Sequence, residues 1–309
     1  MTTAFYSHPD CRGHDMGDGH PECPERLDAI DDHLSRHRPR RGARTARGAR
    51  WSNLADLGLA HESRYVAELR DLLQRIAADG RPRAIDADTI AAAGTWQAVM
   101  RAAGAAVAAT DAVIDGTVEN AFCAVRPPGH HATRAQAMGF CFFNNVAVAA
   151  RHALDVRGLE RVAIVDFDVH HGNGTEDIIA NDERVLMVSI FQHPLYPYSG
   201  AVPLGTNMVN VPVPPYTRGP QVRALIEENW LARARRVPAG DDLRLGRLRR
   251  APRRRARPAR PGRGRLHLDH RADQGGGAEA RSAAGSSPAW KAATTSARWR
   301  AASPRTCAC

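Results

Sequence analysis

Lysine is almost missing from this chain: of 43 basic residues only Lys291 is one. Arginine has GC-rich codons and lysine does not, so the bias marks a GC-rich coding sequence. Long apolar runs are missing too. None approaches the roughly 18 residues that a membrane-spanning helix needs. The first residues, Met1-Thr2-Thr3-Ala4-Phe5-Tyr6, lead straight into polar ones without an apolar h-region, so no secretory signal is expected. The six cysteines are scattered with no metal-type C-x-x-C pair. That argues against a disulfide framework and points to a soluble protein of the reducing cytoplasm.

Acid is also scarce in one part of the chain. The formal net charge is +10, and of the 43 basic and 33 acidic residues, 20 and 5 fall in residues 233–309. That leaves 23 basic and 28 acidic residues in 1–232, a net of −5 there against +15 beyond it. Such a tail invites a non-catalytic reading, a protein whose basic segment binds nucleic acid with strong salt dependence. The tail lacks aromatic interleaving and any recognisable module, so nucleic acid is not the expected partner.

The 309 residues have room for one large α/β domain or two smaller ones. Leu27, Ile30 and Leu34 share one face of a helix expected over 20–34. Residues 36–50 break that pattern with seven arginines and no acid. Order returns at Leu54–Leu59, and Thr95 to Ile114 reads as an Ala-rich helix. A short buried strand at Phe122–Val125 ends at Arg126-Pro127-Pro128-Gly129, and 144–154 is helical. Val162–Val165 and Val185–Ile190 are apolar, β-branched runs of the kind covered on both faces in a parallel sheet. Strands alternating with helices imply a parallel sheet with a site at the strands' carboxyl ends.

Two clusters carry the chemistry. The strand at 162–165 runs into Asp166-Phe167-Asp168-Val169-His170-His171-Gly172-Asn173-Gly174-Thr175. Ionisable groups at the end of a buried strand are costly unless paired or metal-bound. In an extended stretch Asp166, Asp168 and His170 share one face. Two carboxylates and an imidazole there suit a divalent metal, zinc in particular. The second cluster is Arg126-Pro127-Pro128-Gly129-His130-His131, followed by Gly139-Phe140-Cys141-Phe142-Phe143-Asn144-Asn145. Adjacent histidines on a rigid loop suit proton transfer near neutral pH.

These three motifs, in this order and spacing, resemble the histone deacetylase superfamily, which includes acetoin-utilisation-type proteins and acetylpolyamine amidohydrolases. The resemblance covers roughly residues 1–232, apart from 36–50. It implies an α/β fold: a single arginase/deacetylase-type domain, a central parallel sheet flanked by helices, with its C-terminal part missing or scrambled. It implies that Asp168 and His170 ligate zinc and that His130 and His131 handle protons. Asp166 would orient His130, and Asn173 would orient His131, asparagine there resembling the class II-like branch. Gly139 and Phe140 would line a substrate tunnel. Asp166, Asp168, His170 and Ser189 match positions that hold a monovalent cation, potassium being the ion expected. The implied reaction is hydrolysis of N-acetylated amines, either acetyl-lysine in proteins or acetylpolyamines. Zinc lowers the pKa of water toward ~7 and polarises an amide carbonyl. An arginase-like ureohydrolase shares the broad fold but requires more aspartates and has nothing like R-P-P-G-H-H.

The superfamily also needs a third zinc ligand, in a motif like S-A-G-F-D-A-H, and an oxyanion tyrosine, in one like E-G-G-Y-D-L. Neither appears. Residues 232–309 are instead 51 Ala, Arg, Gly or Pro out of 78, without periodicity, which by composition is a disordered segment. Reverse-translating 243–253 with GC-rich codons and shifting by one base permits F-V-S-A-G-F-D-A-H-R. The same shift of 290–299 permits L-E-G-G-Y-D-L-G-A-L. Two missing motifs in one frame and in order point to a single-base insertion or deletion near codons 231–236. Residues 37–49 shift to a helix and loop, T-G-L-D-A-A-L-E-Q-R-E-A-P. The expected organisation is therefore a deacetylase domain over 1–232, with 36–50 out of frame, and an out-of-frame, disordered 233–309. This literal chain is expected to hold zinc poorly and to turn over almost nothing.

Overall fold

The computed structural model describes residues 2–36 and 44–230 (backbone only at 44–47), and the backbone of two short strands further on. Two four-stranded sheets form its frame. In the first, β1 (Thr3–Ser7) lies between β2 (Arg44–Gly48) and β5 (Asn120–Cys123), all parallel. Ala4, Phe5 and Tyr6 are buried in succession, as expected of a strand covered on both faces. In the second, β6 (Val162–Asp166), β7 (Val185–Gln192) and β8 (Met208–Val213) run parallel. Seven consecutive residues of β7 are buried. Each large apolar side chain so buried contributes roughly 1.5–3 kcal/mol. A two-residue ribbon, β3 (Arg83–Ala84) with β4 (Ile90–Ala91), lies apart from both sheets.

The parallel sheet is thus found in two pieces, with no pairing between β5 and β6 among the described residues. At one edge of each piece stands a strand from the Arg-rich segment. β9 (Thr295–Arg298) pairs antiparallel with β6, and β10 (Thr306–Ala308) pairs parallel with β5. Both strands lie inside the segment expected to be disordered, and β9 overlaps the shifted motif at 290–299. The rest of 231–309, with the shifted motif at 243–253 and most of the basic tail, lies outside the described residues. A second difference concerns 36–50, expected to break the pattern: 44–48 form β2. In all three cases pairing uses backbone groups that an open strand edge offers to any chain, so side-chain periodicity need not announce it.

Helices cover the sheets. α1 (Glu25–Arg36) starts later than expected and buries Leu27 against Phe5 and Ala124, with Ile30 and Leu34 on the same stripe. α2 (Leu54–Gly58) carries a capping box, with Asn53 as its cap. α3 (Ser63–Asp79) buries Val66, Leu69, Leu73 and Ile76, an amphipathic stripe at helical spacing. α4 (Thr95–Ile114) is buried on almost every side, because its alanines let neighbouring elements approach closely. α5 (Asn145–Arg151) runs into a π turn at His152–Val156. α6 (Asn173–Ile179) follows β6, and α7 (Gly219–Leu225) packs Val222 on Leu186, Val188, Ile190 and Val211. No described helix is long and apolar enough to cross a membrane.

Candidate active site

The loops after β5, β6 and β7 converge on one cavity of about 230 Å³. It is lined by Asp88, Pro128, His130, His131, Gly139, Phe140, Asp168, His170 and Tyr196. The expected placement at the strands' carboxyl ends is therefore met.

The paired histidines lie side by side, ring centroids 4.0 Å apart, both buried. His130 Nδ1 is 3.0 Å from Asp166 Oδ2, and His131 Nδ1 is 2.8 Å from Asn173 Oδ1. One imidazole is thus backed by a carboxylate and its neighbour by a neutral amide. Burial, then the adjacent His130, push His131 well below the ordinary histidine range, with the Asn173 hydrogen bond opposing them. Gly139 fits this arrangement closely. Its φ is +57°, and a Cβ there would stand 2.5 Å from His131 Cδ2.

Asp166, Asp168 and His170 converge, but not on one extended face. β6 ends at Asp166, and the chain then turns tightly: Asp168 N donates to Asp166 Oδ1 at 3.1 Å, and His170 N donates to Asp168 Oδ1 at 2.8 Å. Side-chain hydrogen bonds to backbone two residues on take the place of a strand ladder. Asp168 and His170 therefore line the cavity, while Asp166 lies behind His130. Asp168 Oδ1 and His170 Nδ1 are 3.1 Å apart. That separation suits two ligands of one zinc ion, whose bonds to O and N are ~2.0–2.2 Å. Burial alone would raise the Asp168 carboxyl, but hydrogen bonding to His170 and the field of His130 hold it well below the carboxylate range. Among the described residues no group of three His, Cys, Asp or Glu is placed to hold a metal. The donors thus fit two positions of a zinc site, not a complete one. Ser189, buried, is the register partner of Asp166 across β6 and β7.

Several participants, or the partners they meet, lie outside the motifs. Tyr196, on the loop after β7, has its ring 5.1 Å from that of His131 and 6.1 Å from that of His170. Burial, then Asp88 and Asp86, push its phenol upward. Asp88 is itself raised, by burial and by a hydrogen bond with Asp86. Arg126 is fully buried and grips Glu22 through both carboxylate oxygens at 2.5 Å, and also Cys11 O at 3.0 Å. Arg26 is buried in the field of the same Glu22, and among the described residues its guanidinium nitrogens find no hydrogen-bond partner; burial holds its pKa down to about 10. His61 bridges Thr133 O and Asn144 N, both at 2.9 Å, tying the turn between α2 and α3 to the two ends of the 133–144 loop. Nothing in the local sequence pattern announces these partners, since they meet through tertiary contacts.

Comparison with known proteins agrees with this geometry. A probable deacetylase of Archaeoglobus fulgidus is 36% identical over 235 residues, 74% of this chain and 64% of that protein. Human polyamine deacetylase HDAC10 is 39% identical over 196 residues, 61% of this chain and 29% of that protein. The chain thus spans less than two thirds of the length of either. The crystal structure of the HDA15 HD domain superposes with a TM-score of 0.61 at 34% identity, covering 68% of this chain and 61% of that one. The family model of the histone deacetylase domain matches residues 20–237, most of the chain, and together with the cavity at the strand ends this places the protein in the histone deacetylase domain family.

Proposed function

We propose that the cavity is part of the site of a zinc-dependent amide hydrolase acting on N-acetylated amines. The observation that carries this is the pairing of His130 with Asp166 and His131 with Asn173, on a cavity shared with Asp168 and His170. Asp168 and His170 would hold the zinc. Bound there, it would supply Lewis acidity to the amide carbonyl and to the attacking water.

The remaining work falls to the chain's own residues. Each histidine is oriented through Nδ1, which leaves Nε2 as the nitrogen that exchanges protons. The Asp166 carboxylate favours a proton on His130; the Asn173 amide favours one on His131 less. The two rings can therefore divide the roles of base toward water and acid toward the departing amine. Gly139 and Phe140 flank the cavity where the acyl-bearing chain would lie. Asp88, in the same lining, favours a cationic amine substrate. The amide hydrolysed could belong to an acetyl-lysine side chain, which is neutral, or to an acetylpolyamine, whose remaining amines stay protonated; the charge of Asp88 fits the latter, and human HDAC10 is named a polyamine deacetylase. Asp166, Asp168, His170 and Ser189 would form the potassium site, and the reaction would take place in the cytoplasm. The ureohydrolase reading loses its support with the family assignment.

The same proposal holds that this literal chain is defective. Its described residues provide two zinc donors, and loss of an oxyanion donor alone costs about 10²–10³ in rate. We attribute the defect to a one-base shift near codons 231–236, with 1–232 as the domain and 233–309 out of frame. Sequencing the coding DNA tests the shift, and an unbroken frame would refute it. Assays on an acetyl-lysine peptide and on acetylputrescine, with and without chelator, test the activity. The expected result is near-zero turnover for this chain and chelator-sensitive turnover for the frame-restored one.

A further inference from the structure

The motif after β6 has a second histidine, His171, with no place in the proton relay. It faces away from the cavity and is fully buried. Its Nε2 lies 2.7 Å from Glu176 Oε2, and Glu176 is equally buried on α6. The other carboxylate oxygen is turned toward a different part of the chain. Glu176 Oε1 accepts from Leu204 N at 3.1 Å and from Asn210 Nδ2 at 2.8 Å. Asn210 Nδ2 also donates to Gly200 O at 3.0 Å. Gly200 is pressed onto the His171 ring: its φ is +89°, and a Cβ there would stand 2.4 Å from His171 Cδ2. Glu176 and His171 thus hold the middle of the loop 193–207 from beneath.

That loop bears Tyr196, which faces His131 across the cavity. Its C-terminal end is fixed separately, by Asn207 Nδ2 donating to three backbone carbonyls of Ile179, Asp182 and Val185. Between the end of β7 and Asn207, the Glu176 hub is the buried polar tie reaching the loop from α6. α6 also carries Asn173, the partner of His131, three residues earlier. One short helix therefore sets the orientation of a cavity histidine and the seat of the loop that carries Tyr196 over it.

We propose that Glu176, gripped by His171, is a positioning residue that seats the 193–207 loop, and through it Tyr196, against the cavity. The functional meaning of that seating rests on the cavity being the substrate site. The positioning itself does not, and it can be measured in the full chain without turnover.

The test is amide hydrogen exchange by mass spectrometry on the purified chain, comparing peptides from 194–206 with peptides from α4. Glu176→Ala removes both anchors and should speed exchange in 194–206 by at least about tenfold while α4 stays unchanged. Glu176→Gln should restore protection to within about threefold of the parent. Its amide oxygen can still accept from Leu204 and Asn210, and its NH2 can donate to His171 Nε2 if the ring carries its proton on Nδ1, toward Ser189 Oγ at 3.4 Å. Unchanged exchange in Glu176→Ala, or a Gln variant as fast as the Ala variant, overturns the proposal. Should Glu176→Ala also speed exchange in α4, showing loss of the fold, Asn210→Ala decides. Faster exchange confined to 194–206 then supports the proposal, and unchanged exchange there overturns it.

Discussion

His131 rests on Asn173, Nδ1 to Oδ1 at 2.8 Å, so a ring held well below the ordinary histidine range is backed by a group that carries no charge. Burial and His130 lower that ring while the Asn173 hydrogen bond opposes them, and a carboxylate at that position should oppose them more strongly. An anion favours the imidazolium, so Asn173→Asp should raise the proton affinity of His131 about tenfold or more. NMR titration of the imidazole resonances in the presence of chelator measures this. A ring that still titrates where the parent ring does would show that Asn173 does not govern it.

Glu22 and Arg126 form a second buried relationship, with side chains 1% and 0% exposed. Glu22 also faces Arg26, so one carboxylate offsets two buried guanidinium groups. Glu22→Gln keeps the shape and removes the charge. Leaving buried charge uncompensated costs about 3–5 kcal/mol. Urea denaturation should show a loss of that order, and a change under about 1 kcal/mol would contradict it.

The paired histidines and the Asp168–His170 couple stand out in the sequence because each cluster is local and follows a strand, whereas the partners of the two histidines are implied by the family resemblance. The alternation of faces does not hold: the chain past Asp166 turns on Asx hydrogen bonds and is not extended, so Asp168 and His170 line the cavity while Asp166 lies behind His130. The partners of Arg126 and His131 differ in how visible they are. Asn173 lies inside a motif, whereas Glu22 is 104 residues away in a stretch whose visible feature is its prolines. Tyr196 and the His171–Glu176 hub are hidden for the same reason, since their meaning lies in tertiary contacts. The edge strands β2, β9 and β10 are invisible because backbone pairing leaves no side-chain pattern.

Acid should loosen the loop that holds the histidines. His61, 3% exposed, spends both ring nitrogens, one on Thr133 O and the other on Asn144 N. Burial lowers its pKa to about 4, against the raising effect of the Thr133 hydrogen bond. The unfolded chain, with an ordinary histidine near 6.5, binds the proton first as pH falls. Stability from neutral His61 is therefore complete above about pH 6.5 and is lost progressively down to about pH 4, a total of ~3 kcal/mol. His14, lowered to about 3 by burial and Arg126, extends the loss to lower pH. Urea midpoints measured from pH 7 to 4 should fall along this course. A flat profile in this range would exclude a buried neutral His61.

Zinc affinity offers the sharpest separation between a complete and a partial site. Asp168 Oδ1 and His170 Nδ1, 3.1 Å apart, are the two donors that the described residues present to one ion. Structural zinc sites with a full ligand set bind with roughly 10–16 kcal/mol. Two donors should supply about half of that, which corresponds to a dissociation constant of about 1 μM or weaker. Asp168→Asn should weaken it by at least a further ~10-fold, because a neutral amide replaces the anionic ligand that the site holds deprotonated. Competition with a chromophoric chelator at pH 7 measures both values. Nanomolar binding by the parent chain would mean that a third ligand reaches the site from outside the described residues, and that the chain retains more of a working metal centre than its two visible donors suggest.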